Sequence, residues 1–319
     1  MKKQILILVL FVMAALAGVN KSYGQCLDDA LHPMAGKLYH YVISAAGGGG
    51  TPTYQWIVTT SPNIVATSTF ASDLGTGYTI ANATTADASI TWNPATIASA
   101  IAGTAYYVSV RYTATNSEGC VIDNVKSYKI NPVNMFQIDL TNVKSDASTL
   151  ASNNVCTSPV VTATITPATF PAIPTITYDY GTSTMYVKVT AKNFSGSWDM
   201  TVVNTLLASI GTGETGSLSW SRTIGSAPTA VVPGTAITIP QIDADPTNSE
   251  DIFLTLLVDH NTWEGLGAEA FAFTINGKDQ TGLDDVSSTC TADADVVTQT
   301  IIERPTITDG TDLGPFIMP

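Results

Sequence analysis

The chain has 319 residues, enough for about two domains at roughly 100–200 residues each. Charged residues make up only 12% and hydrophobic residues 45%, so a core is available and wholesale disorder is excluded. The formal net charge is −13 with 13 Lys and Arg and no basic patch, so no nucleic-acid partner is expected.

Lys2 and Lys3 precede an apolar run over residues 5–18, followed by Asn20-Lys21-Ser22-Tyr23-Gly24. These are the three regions of a secretory signal, so residues 1–24 are read as a signal peptide cut after Gly24. The run is too short to span a bilayer, and no later stretch is long and apolar enough, so no transmembrane segment is expected after signal removal. Cys26 raises a lipid-anchor alternative, which the Gln25 directly before it disfavours.

The exported compartment is oxidising, so cysteines there tend to pair. The four are Cys26, Cys120, Cys156 and Cys290, which allow three connectivities. Each half of the chain has one cysteine before its first strand and one before its last. This predicts Cys26–Cys120 and Cys156–Cys290, each closing a long loop worth about 4–5 kcal/mol. No C-x-x-C or His-rich spacing supports a metal site on the same residues.

In the first half, strands are expected at residues 39–44, 54–58, 78–82 and 89–92, with one or two helical turns over 94–102. The four glycines at 47–50 lack the G-K-[ST] of a phosphate cradle. Tyr106, Val108, Val110, Tyr112 and Ala114 then alternate with Tyr107, Ser109, Arg111, Thr113 and Thr115, the period of a strand with one buried face. Asn116-Ser117-Glu118-Gly119 supplies turn residues, and residues 121–130 run back, making a β-hairpin with Cys120 at its return. Short strands between Gly, Pro, Asn and Thr turns make a sandwich.

Tyr54-Gln55-Trp56, Ser89-Ile90-Thr91-Trp92 and the hairpin ending Asn116-Ser117-Glu118-Gly119-Cys120 resemble the PKD-like, immunoglobulin-like modules of secreted Bacteroidetes proteins. The resemblance covers residues 26–132 and implies an adhesive or spacer module, with no catalytic residues. Such arrays usually end in a C-terminal sorting domain, which is not recognisable here.

Residues 131–151 read as a linker merging into the second half. Strands are expected there at 160–165, 175–180, 185–191, 200–203, 217–223, 236–239, 252–258, 270–275 and 295–302, and Asn276-Gly277 reads as a hairpin turn. The fold class expected is all-β. Two tandem β-sandwich domains would occupy 25–132 (Ig/PKD-like) and 133–305 (larger, Ig-like or jelly-roll-like), with a tail over 306–319.

Chemical motifs are sparse. The three histidines, His32, His40 and His260, are scattered; His260 stands between Asp259 and Glu264, but isolated histidines more often sit at strand ends. No G-x-S-x-G, H-E-x-x-H or Walker pattern occurs. Asp243, Asp245, Asn248, Glu250 and Asp251 form the densest set of oxygen ligands, a candidate calcium loop without EF-hand spacing, whose plainer reading is a solvated acidic loop. Trp56 and Trp92 read as core. Trp198 and Trp263, on expected loops, are the candidates for stacking on a sugar.

Together these readings give a non-enzymatic exported protein, periplasmic, surface-bound or extracellular, acting as a structural or adhesive module. Its partner would be another protein or further copies of itself at the cell envelope. The alternative is a carbohydrate-binding protein assisted by calcium; a hydrolase with unfamiliar carboxylates in the second half is a third. No cofactor other than calcium is implied.

Overall fold

A computed structural model describes residues 27–44, 51–62, 64, 70–72, 76–169, 175–243, 245, 249–262, 267–287, 291 and 295–305. The chain is all-β, and its buried side chains form two hydrophobic clusters that change over between Met135 and Phe136.

The first cluster is enclosed by two three-stranded antiparallel sheets. One has the order β1 (Leu38–Val42), β4 (Asp87–Trp92), β3 (Tyr78–Ala81); the other has β2 (Thr53–Thr59), β5 (Tyr106–Thr115), β6 (Val121–Ile130). The alternation in β5 does what its period requires: Tyr106, Val108, Val110 and Ala114 are buried with Trp56 and Trp92. At the turn, Asn116 Oδ1 accepts the N–H groups of Glu118 and Cys120, and Gly119 takes φ +79°, which a glycine adopts without strain. Helix α1 (Pro94–Ile101) starts where Asn93 Oδ1 accepts the Thr96 N–H at 2.8 Å, with proline tolerated in the first turn.

The second cluster lies between two five-stranded sheets. One runs β14 (Thr229–Ala230), β13 (Thr215–Ser221), β16 (Glu250–Asp259), β11 (Thr182–Lys192), β7 (Gln137–Val143). The other runs β15 (Ile237–Ile239), β12 (Trp198–Val202), β17 (Glu269–Asp279), β18 (Asp295–Ile301), β8 (Asn154–Val155). Met185, Val187 and Val189 of the first sheet and Met200, Phe271 and Phe273 of the second are buried between them. A short helix, α2 (Thr205–Ala208), follows β12. Among the described residues, strands β9 (Thr162–Thr166) and β10 (Thr175–Asp179) pair only with each other, outside both sheets.

Two expectations are corrected here. The supposed linker contains β7, which pairs with β11 from Gln137↔Lys192 to Val143↔Tyr186. Its inner face includes Asn142, which bonds Gln299 across the sandwich, so apolar alternation is broken just where the strand is buried. Asn276-Gly277 lies inside β17, not at a turn. Glycine is needed at 277 because a Cβ would run into the Ile138 side chain, a close approach of backbone to core. Among the described residues no helix is long and apolar enough to cross a membrane. The expected signal segment lies outside them.

Candidate functional site

The densest polar chemistry lies at one end of the second sandwich, beneath the β9–β10 hairpin. Strand β11 begins with Thr182-Ser183 and β16 ends at Asp259, so antiparallel pairing sets Ser183 beside Val258 and brings His260 next to it. His260 is 0% exposed, and its N–H donates to Gly181 O at 2.9 Å. Ser183 Oγ accepts the Ser158 N–H at 3.1 Å and is hydrogen-bonded to His260 Nε2 at 2.8 Å. His260 Nδ1–H then donates to Glu214 Oε1, while Glu214 Oε2 accepts the Gly211 N–H at 2.9 Å.

A second carboxylate joins this chain. Glu269 hydrogen-bonds Glu214, and burial, with the Glu214 charge beside it, pushes the Glu269 carboxyl up to about 7. Gly211 sits against both carboxylates, where a Cβ would crowd them.

A serine, a histidine and a carboxylate in hydrogen-bonded series form the constellation of acyl-transfer chemistry. Here all three side chains are buried and the serine hydroxyl is covered by the Ser158 backbone, which leaves no place for a reacting carbonyl. The arrangement satisfies buried polar groups and ties β11, β13, β16 and the chain entering β9 together. No sequence motif announces it, because Ser183, Glu214 and His260 come from three separate stretches that only the sheet register brings together.

Above this network stands the β9–β10 hairpin. Ile176 pairs with Ile165 across it, and the two are 47% and 62% exposed. Val160 and Val161 at its base are also exposed. Val161 N–H donates to Asp179 O at 2.8 Å, and Tyr180 N–H to Asn261 O at 2.8 Å, fixing the base to the turn after β16. Tyr178 and Tyr180 stack with ring centroids 5.5 Å apart, and the Arg304 guanidinium lies 4.4 Å from the Tyr180 ring. A cleft of about 300 Å³ opens between the hairpin and that turn, lined by Thr162, Thr164, Thr177, Tyr178, Asp259 and Asn261 among others.

The residues singled out in the sequence are placed differently. Trp198 opens β12 and is 1% exposed, packed against Phe136 and Phe194, so it has no ring face to offer a sugar. Trp263 lies outside the described residues. The acidic set does not converge. Glu250 Oε1 accepts the Ile242 and Asp243 N–H groups at 2.7 and 2.8 Å, while its Oε2 faces Arg222 at 2.8 Å. Asp251, next along β16, points to the other side, where Thr190 and Lys188 meet it. Asp243 Oδ1 accepts the Asp245 N–H, an ordinary loop bond. Asn248 lies outside the described residues, and among those residues no group of three or more His, Cys, Asp or Glu is poised for a metal. Cys120 and Cys156 are exposed and form no disulfide among the described residues; their expected partners, Cys26 and Cys290, lie outside those residues. Trp56 and Trp92 are core residues, as expected.

No protein-family model matches the chain, so the resemblance to PKD-like modules rests on its motif residues alone. No curated protein matches it in sequence. Among solved structures, the chain is similar to the CooA pilin subunit of enterotoxigenic Escherichia coli: 16% identity, 53% of this chain, 99% of that one, TM-score 0.28. It is similar to CfaE, the adhesive subunit of the CFA/I fimbria of the same bacterium: 11% identity, 78% of this chain, 71% of that one, TM-score 0.30. The collagen adhesin CNA of S. aureus overlaps at 9% identity over 80% of this chain and 83% of its own, with a TM-score of 0.19. Overlaps this loose do not establish a common fold, and what those proteins bind or build is said of them alone.

Proposed function

We propose that this chain is a non-enzymatic, exported structural or adhesive module that meets its partner through the β9–β10 end of its second sandwich. The observation that carries the reading is the hairpin itself: two strands outside both sheets, with an exposed Ile165–Ile176 pair and, among the described residues, no further strand on either edge. Exposed edges are templates for strand addition, and an exposed apolar pair beside them is what a protein partner or a second copy would cover. Closure of the Ser183–His260–Glu214 series to solvent supports the absence of catalysis.

The module comprises a signal at 1–24, sandwich domains at 25–132 and 133–305, and disulfides Cys26–Cys120 and Cys156–Cys290. Non-reducing peptide mass spectrometry of the exported protein tests the pairing, with those two linked peptides expected. Loss of adhesion or self-association in an Ile165→Asp/Ile176→Asp chain that keeps its melting temperature tests the function. Adhesion equal to that of the unaltered chain removes it.

One observation favours carbohydrate as the ligand: the cleft beside the hairpin presents threonine hydroxyls, Asp259, Asn261 and the Tyr178 ring, a lining suited to sugar hydroxyls and a stacked ring face. A glycan array on which Tyr178→Ala abolishes binding would support that reading; an array with no binding would end it.

A further inference from the structure

We infer that β6, the outer strand of the first sandwich, pairs antiparallel with β6 of a second copy of this chain about a two-fold axis, joining their two sheets into one. In the sheet order β2-β5-β6, and among the described residues, no strand lies on the outer side of β6. It is ten residues long, carries no proline and is exposed over most of its length, with Val121 69% and Ile122 41% exposed. A long regular edge of this kind offers a row of N–H and C=O groups to another strand.

The hairpin turn determines which groups face out. Asn116 N–H donates to Cys120 O at 3.0 Å, so alternate β6 residues from Ile122 to Ile130 bond to β5, and those from Val121 to Lys129 point their N–H and C=O groups outward. Two further bonds agree. Val125 N–H donates to Asn124 Oδ1 at 2.8 Å, where the carbonyl of a neighbouring strand would stand. Asn131 N–H donates to Leu31 O at 2.7 Å, which marks the end of the open edge.

Self-pairing has one favoured register. A two-fold axis normal to the sheet keeps like faces together, so odd residues oppose odd and even oppose even. With the axis at Val125, this residue faces its own copy, Asp123 faces Ser127 and Val121 faces Lys129, all in hydrogen-bonded pairs. In the closer pairs between them, Ile122 meets Tyr128 and Asn124 meets Lys126, each twice by symmetry. No like charges are opposed, and Asp123 stands diagonal to Lys129 of the second copy. Moving the axis one residue on sets Lys126 against itself, and moving it one residue back sets Ile122 against Lys126. Lys126 and Lys129, against Asp123, also make β6 locally basic, so the contact adds nothing to the repulsion between two chains of net charge −13. This matching of the strand to itself is what names a second copy as the occupant.

The surface belongs to the first sandwich, so it stands or falls apart from the hairpin end proposed above. Hydrogen exchange by NMR and light scattering of the exported chain over a range of protein concentration test it. The chain is expected to dimerise, and the amides of Val121, Asp123, Val125, Ser127 and Lys129 to slow by about tenfold or more as dimer forms. The even-numbered amides between them, already bonded to β5, should keep their rates. Val125→Lys sets two ammonium groups against each other at the axis and is expected to weaken the dimer by about tenfold or more at unchanged melting temperature. Ile165→Asp/Ile176→Asp should leave the dimer intact. A chain that stays monomeric at every concentration, or a dimer in which the outward amides do not slow, overturns the inference. So does a dimer that survives Val125→Lys, or one lost with the Ile165→Asp/Ile176→Asp pair, which would place the contact at the second sandwich.

Discussion

The hairpins β5–β6 and β9–β10 are both written in β-branched alternation, yet one is built into a core and the other is left outside. In β5–β6, ten residue pairs run from Tyr106↔Ile130 to Thr115↔Val121, and every second β5 side chain but Tyr112 is buried. In β9–β10, five pairs run from Thr175↔Thr166 to Asp179↔Thr162, with a single isoleucine at the middle of each strand. The alternation settles that both are strands. The number of apolar side chains on one face settles whether a second sheet covers them, because burial gains roughly in proportion to apolar area.

The largest way to sharpen this contrast is a charge at the middle of each hairpin. Val110→Asp puts an unpaired carboxylate in the first core and is expected to cost more than about 4 kcal/mol, read as loss of the first cooperative transition in urea. Next, His260→Leu strands the buried Glu214 carboxylate under the second hairpin and is expected to cost about 3–5 kcal/mol, with part recovered by adding Glu214→Gln. A loss below 1 kcal/mol would mean that the series contributes little to this end of the sandwich.

A smaller effect separates the two sandwiches by pH. The Glu269 carboxyl is held at about 7, above its ordinary 4.5, so the native state keeps a proton that the unfolded chain releases. That contribution is whole below about pH 4.5 and is lost as pH rises to about 7. Taken at about 1 kcal/mol, since solvent reaches part of the group, it lowers the melting temperature of the second sandwich by roughly 2–4 °C between pH 5 and 8. Glu269→Gln is expected to flatten that slope. The smallest effect is at the exposed pair: Ile165→Asp/Ile176→Asp should change stability by less than about 0.5 kcal/mol in a chemical melt.

The sequence was most readable where side chains of one kind line one face. Strands β5 and β6 were legible to the residue, and β11 nearly so, because Met185, Val187, Val189 and Ala191 are all inward. Strand β7 was hidden because its buried face includes Asn142; β17 was expected over 270–275 but its continuation to Asp279 was misread, because Gly277 serves a close approach and not a turn. Trp198 looked like a loop residue because β12 starts with it directly after Ser195-Gly196-Ser197. The His260 series was out of reach for another reason: its members are distant in sequence, and their meeting depends on the β11–β16 register, which no local pattern encodes.

The most direct test of the central claim is adhesion. Cells displaying the chain, and cells displaying the Ile165→Asp/Ile176→Asp chain at equal density, would be assayed for aggregation and for binding to protein- and glycan-coated surfaces. The account predicts that the unaltered chain confers adhesion and the altered one does not, at equal melting temperature. No adhesion from either chain, or the same adhesion from both, would contradict it.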